Sequence, residues 1–334
     1  QPLDLLARPV HDLRISLTDR CNLRCTYCMP AEVFDHNHVF LRQDQLLRLT
    51  ELGRIIGAFV RCGVGKLRVT GGEPLLRRGV EKFLHGLRRF PALQDIAMTT
   101  NGLLLPELAA GLAEAGLHRV TVSLDALDPG IFGAMNGRGH HPARVLEGIA
   151  AARAAGLGVK INMVVQRGVN DGEILSIARH CKREGIVLRF IEFMDVGNSN
   201  HWDPAMVVSG REILDRLARE FAFEPVRPGA YGEVAARYRY RDDGCEFGLI
   251  TSISSPFCRD CTRARLSADG RLFTCLFASE GFDLVGAMRA DNLDDEALYR
   301  LVAGLWSRRA DRYSEIRAES AGGAPKVEMS FIGG

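Results

Sequence analysis

Short β-rich runs alternate with longer helical patterns from the start of this 334-residue chain to Phe193. Residues 13–18, 66–70, 95–100, 119–124, 159–165 and 187–193 read as strands, and 43–61, 80–89, 107–115, 143–155 and 173–184 carry apolar residues at helical spacing. Such alternation builds a parallel sheet, because parallel neighbours need a crossover connection. The strands read mostly as continuous apolar runs, as expected where helices cover the sheet. Six such units predict an α/β fold, an incomplete (β/α)6 barrel of the TIM-like kind; a full eight-fold barrel is not visible.

Beyond Phe193 the rhythm changes. A loop at 195–204 and a helix near 210–220 lead to Gly- and Arg-rich β-like stretches over 228–275. Residues 292–309 read as a helix opened by Asp294 and Asp295, where the helix dipole favours negative charge. A soft boundary near residue 225 divides the chain into a barrel part, 1–225, and a C-terminal part, 226–334. No linker separates them, so the second part is expected to close the barrel mouth.

Hydrophobic residues at 46% and charged residues at 25% exclude wholesale disorder and a fibrous repeat. The formal net charge of +2 gives no global attraction to nucleic acid or membrane, so an anionic ligand must be held locally. No apolar run reaches the roughly 18 residues that span a bilayer, and residues 1–8 lack a signal-peptide core. A cytoplasmic protein is expected. Nine cysteines, an odd count without a secretion signal, favour metal or redox chemistry over disulfides.

Cys21, Cys25 and Cys28 form C-x3-C-x2-C just after the first strand. Three thiolates on one loop wrap a single centre and leave one position for a non-protein ligand. On spacing alone a zinc knuckle completed by His11, His36 or His38 remains an alternative. Cys258, Cys261 and Cys275 form C-x2-C-x13-C, and here zinc is a stronger rival because Cys245 could supply a fourth thiolate. Cys62 and Cys181 fall inside helical patterns and read as small buried hydrophobes.

With these triplets stand LRISLTDRCNLRCTYCMP, LRVTGGEPLLR, TTNG, VSLD, VKINMVV, RFIEFM, PFCRDCTRARLSADGRLFTCLF and a final FIGG. The first loop resembles that of the radical S-adenosylmethionine enzymes. The second triplet, the following Arg-Ala-Arg and the Gly-Gly ending make the chain similar to that superfamily's GTP 3',8-cyclases of molybdenum cofactor biosynthesis. In the strand reading these motifs fall at strand C-terminal ends, where barrel enzymes assemble their active sites.

The resemblance implies a lyase with two 4Fe-4S clusters, one on Cys21, Cys25 and Cys28 and one on Cys258, Cys261 and Cys275. It implies S-adenosylmethionine contacts from Tyr27, Gly72, Ser123 and Met194. It also implies that Arg14, Arg68, Thr99, Lys160, Arg263 and Arg265, with the Ala264 backbone, hold the GTP triphosphate, Arg189 being a weaker candidate. Gly333 and Gly334 would reach into the active site. Thr262 stands where many relatives carry Asn, which touches only the surroundings of Cys261. The implied partners are an electron donor such as flavodoxin or ferredoxin, and cyclic pyranopterin monophosphate synthase as the next enzyme; homodimerisation is left open. A peptide maturase of the same superfamily with an auxiliary cluster and a zinc-stabilised nucleotide-binding module are the competing readings.

Overall fold

The structure, a computed structural model, describes residues 1–316 and 326–333. Its core is one sheet. The six expected strands are β1 (Asp12–Ser16), β2 (Lys66–Thr70), β3 (Asp95–Thr100), β4 (Arg119–Ser123), β5 (Gly158–Val165) and β6 (Val187–Glu192). They pair in chain order, each parallel to the next. The C-terminal part contributes β7 (Phe223–Val226), β8 (Ala236–Tyr240), β9 (Glu246–Ile250), β10 (Arg263–Leu266), β11 (Arg271–Phe273) and β12 (Phe282–Asp283).

Two of these extend the barrel. β9 adds parallel to β6, and β10 adds parallel to β1. Eight strands thus run in parallel, flanked by antiparallel β8 and β7 on one edge and β11 and β12 on the other, and the sheet does not close. The sequence reading misses β9 and β10 as barrel strands because no helix of their own precedes them.

The strands alternate rather than run apolar throughout. Leu13, Ile15, Leu67, Val69, Val120, Val122, Ile161 and Met163 are fully buried in the layer beneath the helices. The intervening positions Arg14, Arg68, Lys160 and Arg189 all line one internal cavity. Period-two alternation sends neighbouring side chains to opposite faces, so the same strands that build the core also aim a row of cations inward.

Helix boundaries follow local chemistry. The first helix spans Leu49–Arg61 rather than 43–61, because the Glu51 carboxylate accepts from the Arg48 N–H at 3.1 Å. Leu46 and Leu47 are buried, and Leu47 N–H donates to the Ala268 carbonyl at 2.8 Å, so their apolar surface belongs to a contact with the C-terminal part. A helix over Pro129–Asn136 was not expected. Asp128 caps it by accepting from Ile131 N–H at 2.9 Å, Pro129 opens it, and Gly137 ends it in the left-handed region. Cys62 and Cys181 are buried helix-associated residues, as read.

The late helix is Asp295–Ser307, and the cap is Asp294, whose carboxylate accepts from Ala297 N–H at 2.7 Å. Asp295 instead makes an exposed ion pair with Arg54. Asp294→Ala should therefore cost about 1 kcal/mol in chemical denaturation. Asp295→Ala should cost less than about 1 kcal/mol.

Candidate active site

The first triplet sits on the loop leaving β1, and that loop is tied down by neighbouring strand ends. Gly72 N–H donates to the Thr18 carbonyl at 2.7 Å, and Glu73 N–H to the Arg20 carbonyl at 2.8 Å. A Cβ on Gly72 would lie 2.3 Å from the Arg20 carbonyl oxygen, so the close approach that demands glycine here is to the cysteine loop itself.

Glu73, which the sequence reading left without a role, is almost fully buried and joins three elements. Its carboxylate accepts from Leu75 N–H at 3.1 Å, the Thr100 hydroxyl at 2.9 Å and Asn101 N–H at 2.8 Å. The Asn101 amide in turn donates to Asn22, next to Cys21, at 2.7 Å. Two further buried carboxylates repeat the pattern. Asp125 accepts from the Tyr27 hydroxyl at 2.7 Å and from Val164 N–H at 2.9 Å. Glu192 accepts from the N–H groups of Gly210 at 2.7 Å and of Ile253 and Ser254 at 2.9 Å, fixing the loop ahead of the second triplet. The signal for all three was an acidic residue at the end of an apolar strand, where an unpaired charge is costly.

Tyr27 and Ser123 both stand at this C-terminal end, Ser123 opposite Asn162 in register. Among the described residues the buried Oδ1 of Asn162 has no hydrogen-bond partner, which marks a polar position open to a ligand. Met194 follows β6 half-buried at the edge of the core, its carbonyl accepting from Asn200 at 2.9 Å. Nearby, the Trp202 indole donates to the Phe193 carbonyl at 2.8 Å.

The second triplet lies elsewhere than a strand's C-terminal end. Cys258 and Cys261 precede β10, whose first residue Arg263 is level with Asp12 at the start of β1, and Cys275 follows β11. The two triplets therefore lie toward opposite ends of adjacent strands. Cys258, Cys261 and Cys275 together line a small cavity with Arg263, Arg265 and Arg309.

An internal cavity of about 330 Å³ is lined by Arg14, Arg68, Lys160, Arg189 and Arg263, with the acids Asp12, Glu233 and Glu246 also on its wall. Its lower layer is internally compensated: Arg119 pairs with Asp95 at 2.6 Å, and Lys66 lies 3.5 Å from Asp12. The upper layer is not. Arg68 reaches only the Thr99 and Thr121 hydroxyls, both at 3.3 Å, and Arg189 shares Thr121 at 3.0 Å. Burial, joined by repulsion among these like charges, lowers Arg68 to about 10, Arg189 and Arg265 to about 9 and Lys160 to about 8. Arg14 is pushed down for the same reasons, with Arg265, Arg68 and Arg263 as its cationic neighbours. Such a group calls for a multiply charged anion.

Arg263 and Arg265 have additional duties. Arg263 donates to Cys261 Sγ at 3.4 Å, and Arg265 donates to the Gly333 carbonyl at 2.7 Å. Ala264, between them, is fully buried on the opposite face. Thr262 is buried and donates to Asp12 at 3.1 Å. Gly333 adopts φ of +75°, and a Cβ there would lie 2.2 Å from Thr70 Cγ2, so only glycine fits. The preceding turn, Met329–Ile332, docks through fully buried Ile332. Gly334 lies outside the described residues.

Both triplets suit an iron–sulfur centre. Burial, reinforced by neighbouring thiols, raises Cys25 and Cys28, and burial with the Glu73 charge raises Cys21 to about 11. Thiols so placed ionise only when a cationic centre takes the charge. Leu23 N–H donates to Cys21 Sγ at 3.4 Å and Phe277 N–H to Cys275 Sγ at 3.5 Å, as cluster thiolates require. Among the described residues no three Cys, His, Asp or Glu side chains already converge in metal-ligand geometry, so a bound centre would draw the presented thiols together.

The ties predict a pH dependence. Burial raises Glu73 to about 7 despite its three donors, and Asp125 to about 6. The folded chain then holds protons that the unfolded chain has already released, so these groups destabilise the fold as pH rises from about 4.5 to 7. Denaturation midpoints of wild type and Glu73→Gln should diverge over that window, the variant having the flatter profile.

Two family models match: the Radical SAM superfamily over residues 15–181 and Molybdenum Cofactor Synthesis C over residues 186–315. The GTP 3',8-cyclase of Acidothermus cellulolyticus is 48% identical across all of this chain and 99% of its own. That of Staphylococcus haemolyticus is also 48% identical, over 99% of this chain and 98% of its own. Among solved structures, Streptococcus suis SuiB bound to S-adenosylmethionine superposes with a TM-score of 0.60 at 17% identity, over 93% of this chain and 68% of that one, which shows the shared fold. The unclosed parallel barrel, its two thiol triplets and a likeness running the length of the chain lead to one assignment: the chain belongs to the radical S-adenosylmethionine superfamily and, within it, to the GTP 3',8-cyclase family.

Proposed function

We infer that this chain converts GTP to (8S)-3',8-cyclo-7,8-dihydroguanosine 5'-triphosphate, the first step of molybdenum cofactor biosynthesis, with S-adenosylmethionine and two 4Fe-4S clusters. The observation that carries this reading is the row of buried cations, none of them in an ion pair among the described residues, inside a barrel that also carries two thiol triplets. When bound, the first cluster and S-adenosylmethionine supply the hydrogen-abstracting chemistry. The remaining work falls to the chain.

Arg14, Arg68, Lys160 and Arg265 bind the triphosphate, helped by Arg263, Arg189 and the Thr99 hydroxyl, with the Ala264 backbone alongside. Tyr27, Gly72, Ser123 and Met194 border the S-adenosylmethionine position, with Asp125 orienting Tyr27. Cys21, Cys25 and Cys28 ligate one cluster, and Cys258, Cys261 and Cys275 the other. Gly333, with Gly334 beyond it, brings a side-chain-free backbone against Thr70 and Arg265, where it positions the ribose. A misplacement of about 1 Å there can cost a hundredfold in rate. Residues before about 225 carry the first cluster, and those after it carry the second cluster and the Gly-Gly tail.

A low-potential electron donor such as flavodoxin or ferredoxin, and cyclic pyranopterin monophosphate synthase as recipient of the product, complete the partner set; a homodimer fits the same scheme. The GTP and S-adenosylmethionine pools favour a cytoplasmic setting. Among the described residues no helix is long and apolar enough to cross a membrane.

Anaerobic incubation with GTP, S-adenosylmethionine and reductant, followed by mass analysis, should give the cyclic nucleotide and 5'-deoxyadenosine. The chain lacking Gly333 and Gly334 should still form 5'-deoxyadenosine but no cyclic nucleotide. Normal cyclisation by the shortened chain would show that the tail has no part in the reaction. Arg265→Ala should weaken GTP binding about tenfold or more in titrations, since a charge-assisted hydrogen bond contributes about 1.5–3 kcal/mol.

A further inference from the structure

A buried ionic network behind the second triplet has no place in the scheme above. Asp4, Arg8 and Arg309 are 6%, 0% and 4% exposed. The Asp4 carboxylate accepts from Arg8 Nε at 2.7 Å and from Arg309 Nη1 at 3.2 Å. Its other oxygen accepts from the N–H groups of Leu6 and Arg8, both at 2.9 Å, so residues 4–8 form a tight strap around the charge.

The strap holds the cysteine loop by its backbone. Arg8 Nη1 donates to the Cys258 carbonyl at 2.6 Å and to the Asp311 carbonyl at 2.9 Å. Arg309 Nη1 donates to the Cys261 carbonyl at 2.7 Å, and its Nη2 lies 3.2 Å from Cys261 Sγ. The Arg309 guanidinium also sits 4.6 Å above the Trp306 ring, whose indole donates to the Arg8 carbonyl at 3.0 Å. Two guanidiniums thus share one fully buried carboxylate. Asp311, the other acid in reach of Arg309, is about one-third exposed and its charge is partly screened.

We propose that Arg309 is a positioning residue for the second cluster, clamped by Asp4 and Arg8 so that a permanent positive charge stays on Cys261 and sets that cluster's reduction potential. Hydrogen bonds to the ligating sulfur and local net charge are the main protein controls on such potentials. Arg263 also reaches Cys261 but lines the large cavity where the triphosphate binds; Arg309 does not line that cavity. Its fork is spent on Asp4, the Cys261 carbonyl and Cys261 Sγ, which holds its charge against the sulfur.

The inference rests on the two-cluster reading, and the experiment separates the two. The reconstituted wild type should hold about eight irons, and the full chain with Cys21, Cys25 and Cys28 all replaced by Ala about four, in the second cluster alone. Absence of iron from that protein would overturn the two-cluster reading instead. In the same background, redox titration followed by electron paramagnetic resonance reads the one-electron reduction of the remaining cluster. Arg309→Gln should shift the equilibrium at least tenfold against reduction, about 59 mV more negative for one electron. Arg309→Lys, which keeps the charge, should restore most of the shift. An unchanged midpoint in the glutamine protein, or equal shifts in both, overturns the proposal. If the glutamine protein loses its iron, the lysine protein decides: native potential supports the charge role, and a shifted potential or loss of iron overturns it.

Discussion

Buried cations that form no ion pair among the described residues, gathered inside a barrel, are the constraint to which the rest of this architecture answers. Arg14, Arg68, Lys160, Arg189 and Arg265 repel one another in a space largely withdrawn from water. Flexible loops would let such side chains swing out to solvent. Strands do not, because period-two alternation fixes direction and the opposite face of each strand is locked into apolar packing. Leu13 and Ile15 flank Arg14, and Leu67 and Val69 flank Arg68, all fully buried. The core thus holds the repulsion in place, at a cost in stability that a bound polyanion would relieve.

The same logic governs the acids at the strand ends. Glu73, Asp125 and Glu192 are buried at or just beyond the C-terminal ends of β2, β4 and β6; Glu73 and Glu192 accept backbone N–H groups from loops that must not drift, and Asp125 ties Tyr27 of the cysteine loop to Val164 of β5. Their side chains convert rigid strand positions into anchors for irregular chain. Through Asn101 and Asn22 the Glu73 anchor extends to Cys21, and through Ile253 and Ser254 the Glu192 anchor reaches the approach to Cys258.

Much of this was legible in the sequence. The six central strands and most of the covering helices follow from spacing alone, since their apolar periodicity is uninterrupted. The helix at Pro129–Asn136 was missed although Asp128, Pro129 and Gly137 punctuate it, because its apolar stripe is short. β9 and β10 escaped as barrel strands because their pairing partners lie far away along the chain: Arg263 sits beside Asp12 through a contact that no local pattern encodes. For the same reason the second triplet was read at a strand's C-terminal end although it borders the start of β10. The resemblance to known enzymes supplied the ligand sets. It said nothing of Glu73, Asp125, Glu192 or Thr121, whose roles depend on three-dimensional convergence.

The chain has two tryptophans, and the fold distributes them evenly. Trp202 hydrogen-bonds to Phe193, beside Met194 at one end of the barrel. Trp306 lies under Arg309, one guanidinium away from Cys261. Iron–sulfur centres absorb broadly across the near ultraviolet and visible range, so a centre held by Cys261 would quench the Trp306 indole one guanidinium away. The loading or loss of the second centre is thereby written into the light of a native side chain without any added label.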